Sequence, residues 1–146
     1  MKSWRLLFLL FLAPLHSHAQ NDFSGSWKGH LTQGAGGYTP EYEFELYLVQ
    51  KGTQITGRSY VKTGRIYAVM ELTGEVVDGQ WVHFTETHIL DNWKYEDMDW
   101  CYKEARLRLT FDGKRKRLEG PWTGLTAGHS PCIPGEISLA KQVPRA

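Results

Sequence analysis

The sequence predicts an all-β protein, an eight-stranded antiparallel up-and-down β-barrel. Three observations carry this expectation. Apolar and polar residues alternate in run after run, and no helical period interrupts them. Turn signals separate the runs roughly every 8 to 14 residues. Short connections gather at one end of the predicted barrel and long ones at the other.

Taken in order, a short polar lead, Asn21 to Ser24, precedes strand 1 at Gly25–Thr32. Strand 2 is predicted at Glu41–Gln50, strand 3 at Gln54–Lys62 and strand 4 at Ile66–Val77. Strand 5 follows at Trp81–Leu90, strand 6 at Cys101–Phe111, strand 7 at Arg117–Gly124 and strand 8 at Glu136–Lys141. Lys51-Gly52-Thr53, Asp78-Gly79 and Asp112-Gly113 read as hairpin turns. Asp-Gly suits a type I′ turn, which needs positive φ at both central residues. With every connection a hairpin, these three turns share one end. The long segments Gln33–Pro40, Asp91–Trp100 and Leu125–Gly135 share the other, with only Thr63-Gly64-Arg65 tight among them. That asymmetry describes a barrel closed by turns at one end and open at a mouth.

Alternation assigns the faces. Tyr42, Phe44, Leu46 and Leu48 point inward from strand 2, against Glu43 and Glu45. Ile55, Gly57, Ser59 and Val61 do so from strand 3, and Ile66, Ala68, Met70 and Leu72 from strand 4. Strand 5 turns Val82, Phe84, Glu86 and His88 inward and His83 outward. Lys103, Ala105, Leu107, Leu109 and Phe111 follow from strand 6, then Leu118, Gly120 and Trp122, then Ile137 and Leu139. Charged residues on the opposite face argue against a membrane barrel, whose outer band is apolar. Tyr47, Val49, Tyr60, Tyr67 and Val69 are outward and apolar; clustered on three strands, Tyr47, Tyr60 and Tyr67 mark a candidate homodimer face.

Residues 1–19 read as a signal peptide, with Lys2 and Arg5 before an apolar run and Ser17-His18-Ala19 before a cut at Gln20. An uncleaved anchor is the alternative, although the run is short for a membrane span. Residues 20–146 would form one barrel domain. Without Lys2 and Arg5, 15 basic residues face 16 acidic ones, a net charge of −1. Nucleic acid, which requires a basic face, is not expected as a partner. Nor does the balance indicate a polybasic membrane patch; Lys114-Arg115-Lys116-Arg117 reads as a solvated turn. Two cysteines in an exported chain read as one disulfide, Cys101 with Cys132, worth roughly 3 kcal/mol. Two free thiols are the alternative. The expected location is secreted or periplasmic, and no cysteine near the cut suggests a lipid anchor.

The polar residues that converge on the mouth define the candidate site: Tyr42, Ser59, Glu86, His88, Lys103 and Trp122. Trp93, Tyr95 and Trp100 are placed to close over them. Such a concave, mostly apolar site suits a small apolar or amphipathic ligand. A second reading stands beside it: Glu86 and Lys103 neutralise each other and plug the barrel. His88, Glu86 and His129 have the right types for a metal but no metal-motif spacing, so no metal is expected, and no cofactor motif is present. Glu86 and His88 as an acid–base pair give an enzymatic alternative, and the long loops give a protein-interaction or inhibitor alternative.

Phe23-Ser24-Gly25-Ser26-Trp27 resembles the Gly-x-Trp signature that opens lipocalin barrels, where the tryptophan packs across the closed end. Together with Ile55-Thr56-Gly57-Arg58-Ser59-Tyr60 it also resembles the opening of avidin-type barrels. The resemblance implies a calycin-like barrel with a ligand-binding or protein-binding role. It carries over no ligand residues, and the chain shows no lipocalin C-terminal helix.

Overall fold

Eight strands close on themselves in sequence order, each antiparallel to its neighbours, with the last pairing to the first. The computed structural model describes residues 21–144, so the predicted signal peptide lies outside the described residues. The strands are β1 Gly25–Thr32, β2 Glu41–Lys51, β3 Gln54–Thr63, β4 Ile66–Val77, β5 Trp81–Trp93, β6 Tyr102–Asp112, β7 Arg115–Leu125 and β8 Gly135–Lys141. No helix among the described residues is long and apolar enough to cross a membrane.

Boundaries match the alternation to within a few residues. The largest difference is β5, which runs on to Trp93 because Tyr67 of β4 still pairs with it there. The turn chemistry differs at one hairpin. Asp78 and Gly79 both have positive φ, at 53° and 64°, as a type I′ turn demands. Between β6 and β7 the central residues are instead Gly113 and Lys114, since Asp112 pairs with Arg115. Only Gly113 has positive φ there, 61°, which is the II′ pattern.

The closed half is packed with side chains. Phe23, Trp27, Phe44, Leu48, Ile55, Leu72, Phe84, Leu107, Leu118 and Leu139 are all essentially inaccessible. The lead into β1 joins this core. Phe23 N donates to Gln50 Oε1 at 2.9 Å, and the indole Nε1 of Trp27 donates to the Phe23 carbonyl at 2.9 Å. Trp27 therefore lies across the closed end, with Lys141 Nζ 5.6 Å from its ring.

Inward glycines let the strands coil tightly. A Cβ at Gly57 would overlap the Tyr47 carbonyl of β2, and one at Gly120 would overlap the Arg106 carbonyl of β6. Gly57→Ala must therefore push β3 away from β2. It is expected to cost about 1–3 kcal/mol, read as a lower urea midpoint. An unchanged midpoint would show that this close approach is dispensable.

Two inward assignments need correction. Phe111 is 60% exposed, because the β6–β7 hairpin extends past the end of the packed barrel and leaves it no interior to enter. His88 is turned outward. Register shifts on β5 leave Thr87 and Leu90 without partners of their own on β4. Each extra residue reverses the in–out parity beyond it. The outward tyrosines are as expected: Tyr47 and Tyr60 are exposed, and Tyr67 is partly so.

Candidate functional site

β5 and β6 pair only from Trp81–Arg108 to Thr85–Glu104. Above that point β5 bulges and stays with β4, while β6 continues with β7. The seam opens where Glu86 and Lys103 face inward. The carboxylate of Glu86 takes over the work of the lost ladder. Its Oε2 accepts the Lys103 backbone N–H at 2.8 Å and the Lys103 ammonium at 3.1 Å. Its Oε1 accepts the Ser59 hydroxyl at 2.6 Å. The two side chains are 0% and 5% exposed, so the charges are paired almost wholly out of water. Lys103 Nζ also donates to the Cys101 carbonyl at 3.3 Å and sits within 6.0 Å of the Phe44 and Trp122 ring centres. No buried side-chain polar atom among the described residues lacks a partner.

This polar cluster is a floor. Above it, at the mouth, lies a cavity of about 260 Å³. Tyr42, Leu31, Val61 and Ile66 form one wall, with Trp122 and Lys103 below and Trp100, Met98 and the Cys101–Cys132 pair opposite. Burial raises the Tyr42 hydroxyl above its ordinary value of 10.0, so it is a neutral donor at physiological pH. It donates to Gln33 Oε1 at 3.3 Å. The charges at the rim are Lys94 and Asp99.

The mouth loops are fastened to one another. Cys101 and Cys132 form a disulfide, with Cα atoms 6.2 Å apart. It joins the start of β6 to the loop 126–134. That loop is tied in turn to 33–40, because Gln33 Nε2 donates to the Ile133 carbonyl at 3.0 Å and Gly34 N to the Pro134 carbonyl at 3.0 Å. Trp122 Nε1 donates to the Thr32 carbonyl at 2.8 Å, which fixes the indole across the cavity floor.

Of the residues singled out from sequence, Tyr42, Lys103, Trp100 and Trp122 line the cavity. Ser59 and Glu86 lie beneath it, Glu86 holding Lys103 and Ser59 donating to Glu86. His88 does not belong: its side chain is 72% exposed on the outer face, 3.5 Å from Glu71. Glu86 and His88 therefore stand on opposite faces of β5, and the acid–base pairing between them loses its geometry. Trp93 does not close the mouth. It stacks under Arg65, 4.9 Å from the guanidinium, and edge-on to Tyr95 at 5.0 Å. Trp100 is held to β5 by its Nε1 bond to Asn92 Oδ1 at 3.0 Å.

Sequence reading missed Gln33, Ile133 and Met98, all from loops, where no alternation assigns a face. No group of three or more His, Cys, Asp or Glu side chains that could hold a metal occurs among the described residues.

No protein-family model matches the chain, and no curated protein matches it significantly. What fold and site define is a disulfide-bonded eight-stranded antiparallel β-barrel with a cavity at its mouth, consistent with a calycin-like fold. The disulfide is compatible with an extracellular or periplasmic location.

Proposed function

We infer that the barrel binds a small, partly apolar ligand in the mouth cavity. The observation that carries this reading is the cavity itself, an aromatic and aliphatic hollow with few polar side chains: Tyr42, Lys103, Gln33, Thr126, Lys94 and Asp99. Apolar walls supply affinity, and a few fixed polar groups orient the ligand. The Glu86–Lys103 pair supports the same reading. It plugs the barrel below the cavity and leaves the space above it open, so the plug and the binding site are compatible. Trp27 across the closed end and the open mouth support a calycin-like affiliation.

The test is native mass spectrometry on protein isolated from the compartment that produces it. A retained small molecule is expected, and Trp100→Ala, which removes one cavity wall while leaving the core tryptophans in place, should release it. Wild-type protein that carries nothing and shows no thermal shift across a panel of small amphipathic compounds would overturn the reading.

A further inference from the structure

We propose that the closed end of the barrel docks on an anionic lipid surface through the β6–β7 hairpin, with Phe111 as an apolar wedge beside the hairpin's cations. Alternation turns Phe111 inward, but the hairpin outruns the barrel and leaves the ring 60% exposed. An exposed phenylalanine alone is ordinary. Past Asp112 and Gly113 this one is followed by the densest positive charge in the chain, Lys114-Arg115-Lys116-Arg117.

Most of that charge is uncommitted. Arg117 is used locally, its Nε bonded to Glu119 Oε1 at 2.9 Å and its Nη2 to Ser138 Oγ at 2.7 Å. Lys114, Arg115 and Lys116 take part in no ion pair among the described residues. Register gathers more cation on the same rim. Phe111 pairs with Lys116, Arg117 with Ala140, and Trp27 with Lys141. One step along the ladder therefore brings Lys116 level with Lys141. The Lys141 ammonium lies over Trp27 and donates to the Asp22 carbonyl at 3.4 Å. Hydrogen bonds from Ser24, and after them the charges of both lysines, lower the Asp22 carboxyl. Lys116 is therefore the lysine beside Phe111.

The opposite end has the opposite sign. The segment 91–100 holds four acidic residues and one lysine, whereas 111–117 holds four basic residues and one aspartate. β6 itself joins the two segments. Its 11 residues span roughly 35 Å, several times the Debye length of about 8 Å at physiological salt. The net charge near zero thus conceals a dipole, which would present the closed end first to a negative surface and keep the mouth cavity facing outward.

A lipid surface fits better than a soluble polyanion because of Phe111. A polyanion is recognised by cations and gains nothing from an aromatic ring placed among them. A membrane interface accepts both, the ring at the headgroup boundary and the cations on the phosphates. The proposal does not depend on what the mouth cavity binds.

The experiment is sedimentation of the protein, as its host produces it, with vesicles of phosphatidylcholine alone and with added phosphatidylglycerol. Dextran sulfate is the polyanion control. Binding is expected only to the anionic vesicles and should weaken as salt is raised. Lys114→Gln with Arg115→Gln should lower the partition coefficient on the order of tenfold. Phe111→Ser should lower it several-fold on vesicles and leave dextran sulfate binding unchanged. All variants share one N-terminus, so any contribution from residues 1–20 cancels. The substitutions lie on an exposed hairpin tip, and an unchanged melting temperature checks the fold. Absence of binding to anionic vesicles overturns the proposal. So does a Phe111→Ser variant that binds vesicles like the wild type, which would assign the cations to a soluble polyanion.

Discussion

Lys103→Met is expected to destabilise the protein by about 3–5 kcal/mol. The substitution keeps the volume of the side chain, so no cavity opens. It strips the ammonium from a carboxylate that water does not reach. Glu86 keeps two donors, the Ser59 hydroxyl and the residue-103 N–H, but its charge is left buried without a counter-charge. Removing both charges should reverse most of the loss. In Glu86→Gln/Lys103→Met, a neutral amide oxygen can still accept the backbone N–H at the open seam. Replacing a buried pair by neutral groups of similar volume is often close to neutral in stability. Urea unfolding of the four species gives the coupling energy directly. A loss below about 1 kcal/mol for Lys103→Met, the range of solvent-exposed pairs, would mean that water reaches the pair and that the cavity has no dry floor.

Converting both cysteines to alanine is expected to cost about 3 kcal/mol, with the effect concentrated at the mouth. The bridge spans 31 positions, and releasing a loop of that size restores chain entropy to the unfolded state. The native state loses more than a crosslink. The 126–134 loop is anchored by Cys132, and 33–40 is anchored in turn by Gln33 and Gly34 on Ile133 and Pro134. Hydrogen exchange should therefore accelerate in both loops, and in the Thr32–Trp122 contact, while the Trp27 end keeps its protection. Uniform acceleration over the whole barrel would show that the mouth is not an independent layer.

Much of this molecule is legible in its alternation. Side chains on a strand point to opposite faces with a period of two, and a small barrel has one interior. Leu46, Ser59, Met70, Ala105 and Ile137 therefore had only one place to go, and they are there. The period also placed Glu86 and Lys103 together inside, and parity of the turns put both cysteines at the same end. The first failure comes where the period itself breaks. Nothing in Thr-Glu-Thr-His-Ile-Leu announces that Thr87 and Leu90 are extra residues, because a bulge is decided by how β4 and β5 must bend around the barrel and not by local propensity. His88 followed the bulge outward. The second failure is an edge effect: Phe111 keeps the inward parity, but the hairpin has already left the core behind.

The sequence by itself determined the strand order, the inward set apart from His88 and Phe111, the open and closed ends and the placing of Cys101 and Cys132 at the same end, since these follow from alternation, turn length and chain connectivity. Only the tertiary structure decided that β5 separates from β6 above Thr85, that Glu86 bonds the backbone left exposed there, and that a cavity remains above the Glu86–Lys103 floor. Those depend on strand bending and on loops that meet across the mouth, interactions between residues far apart in the chain that no local pattern encodes.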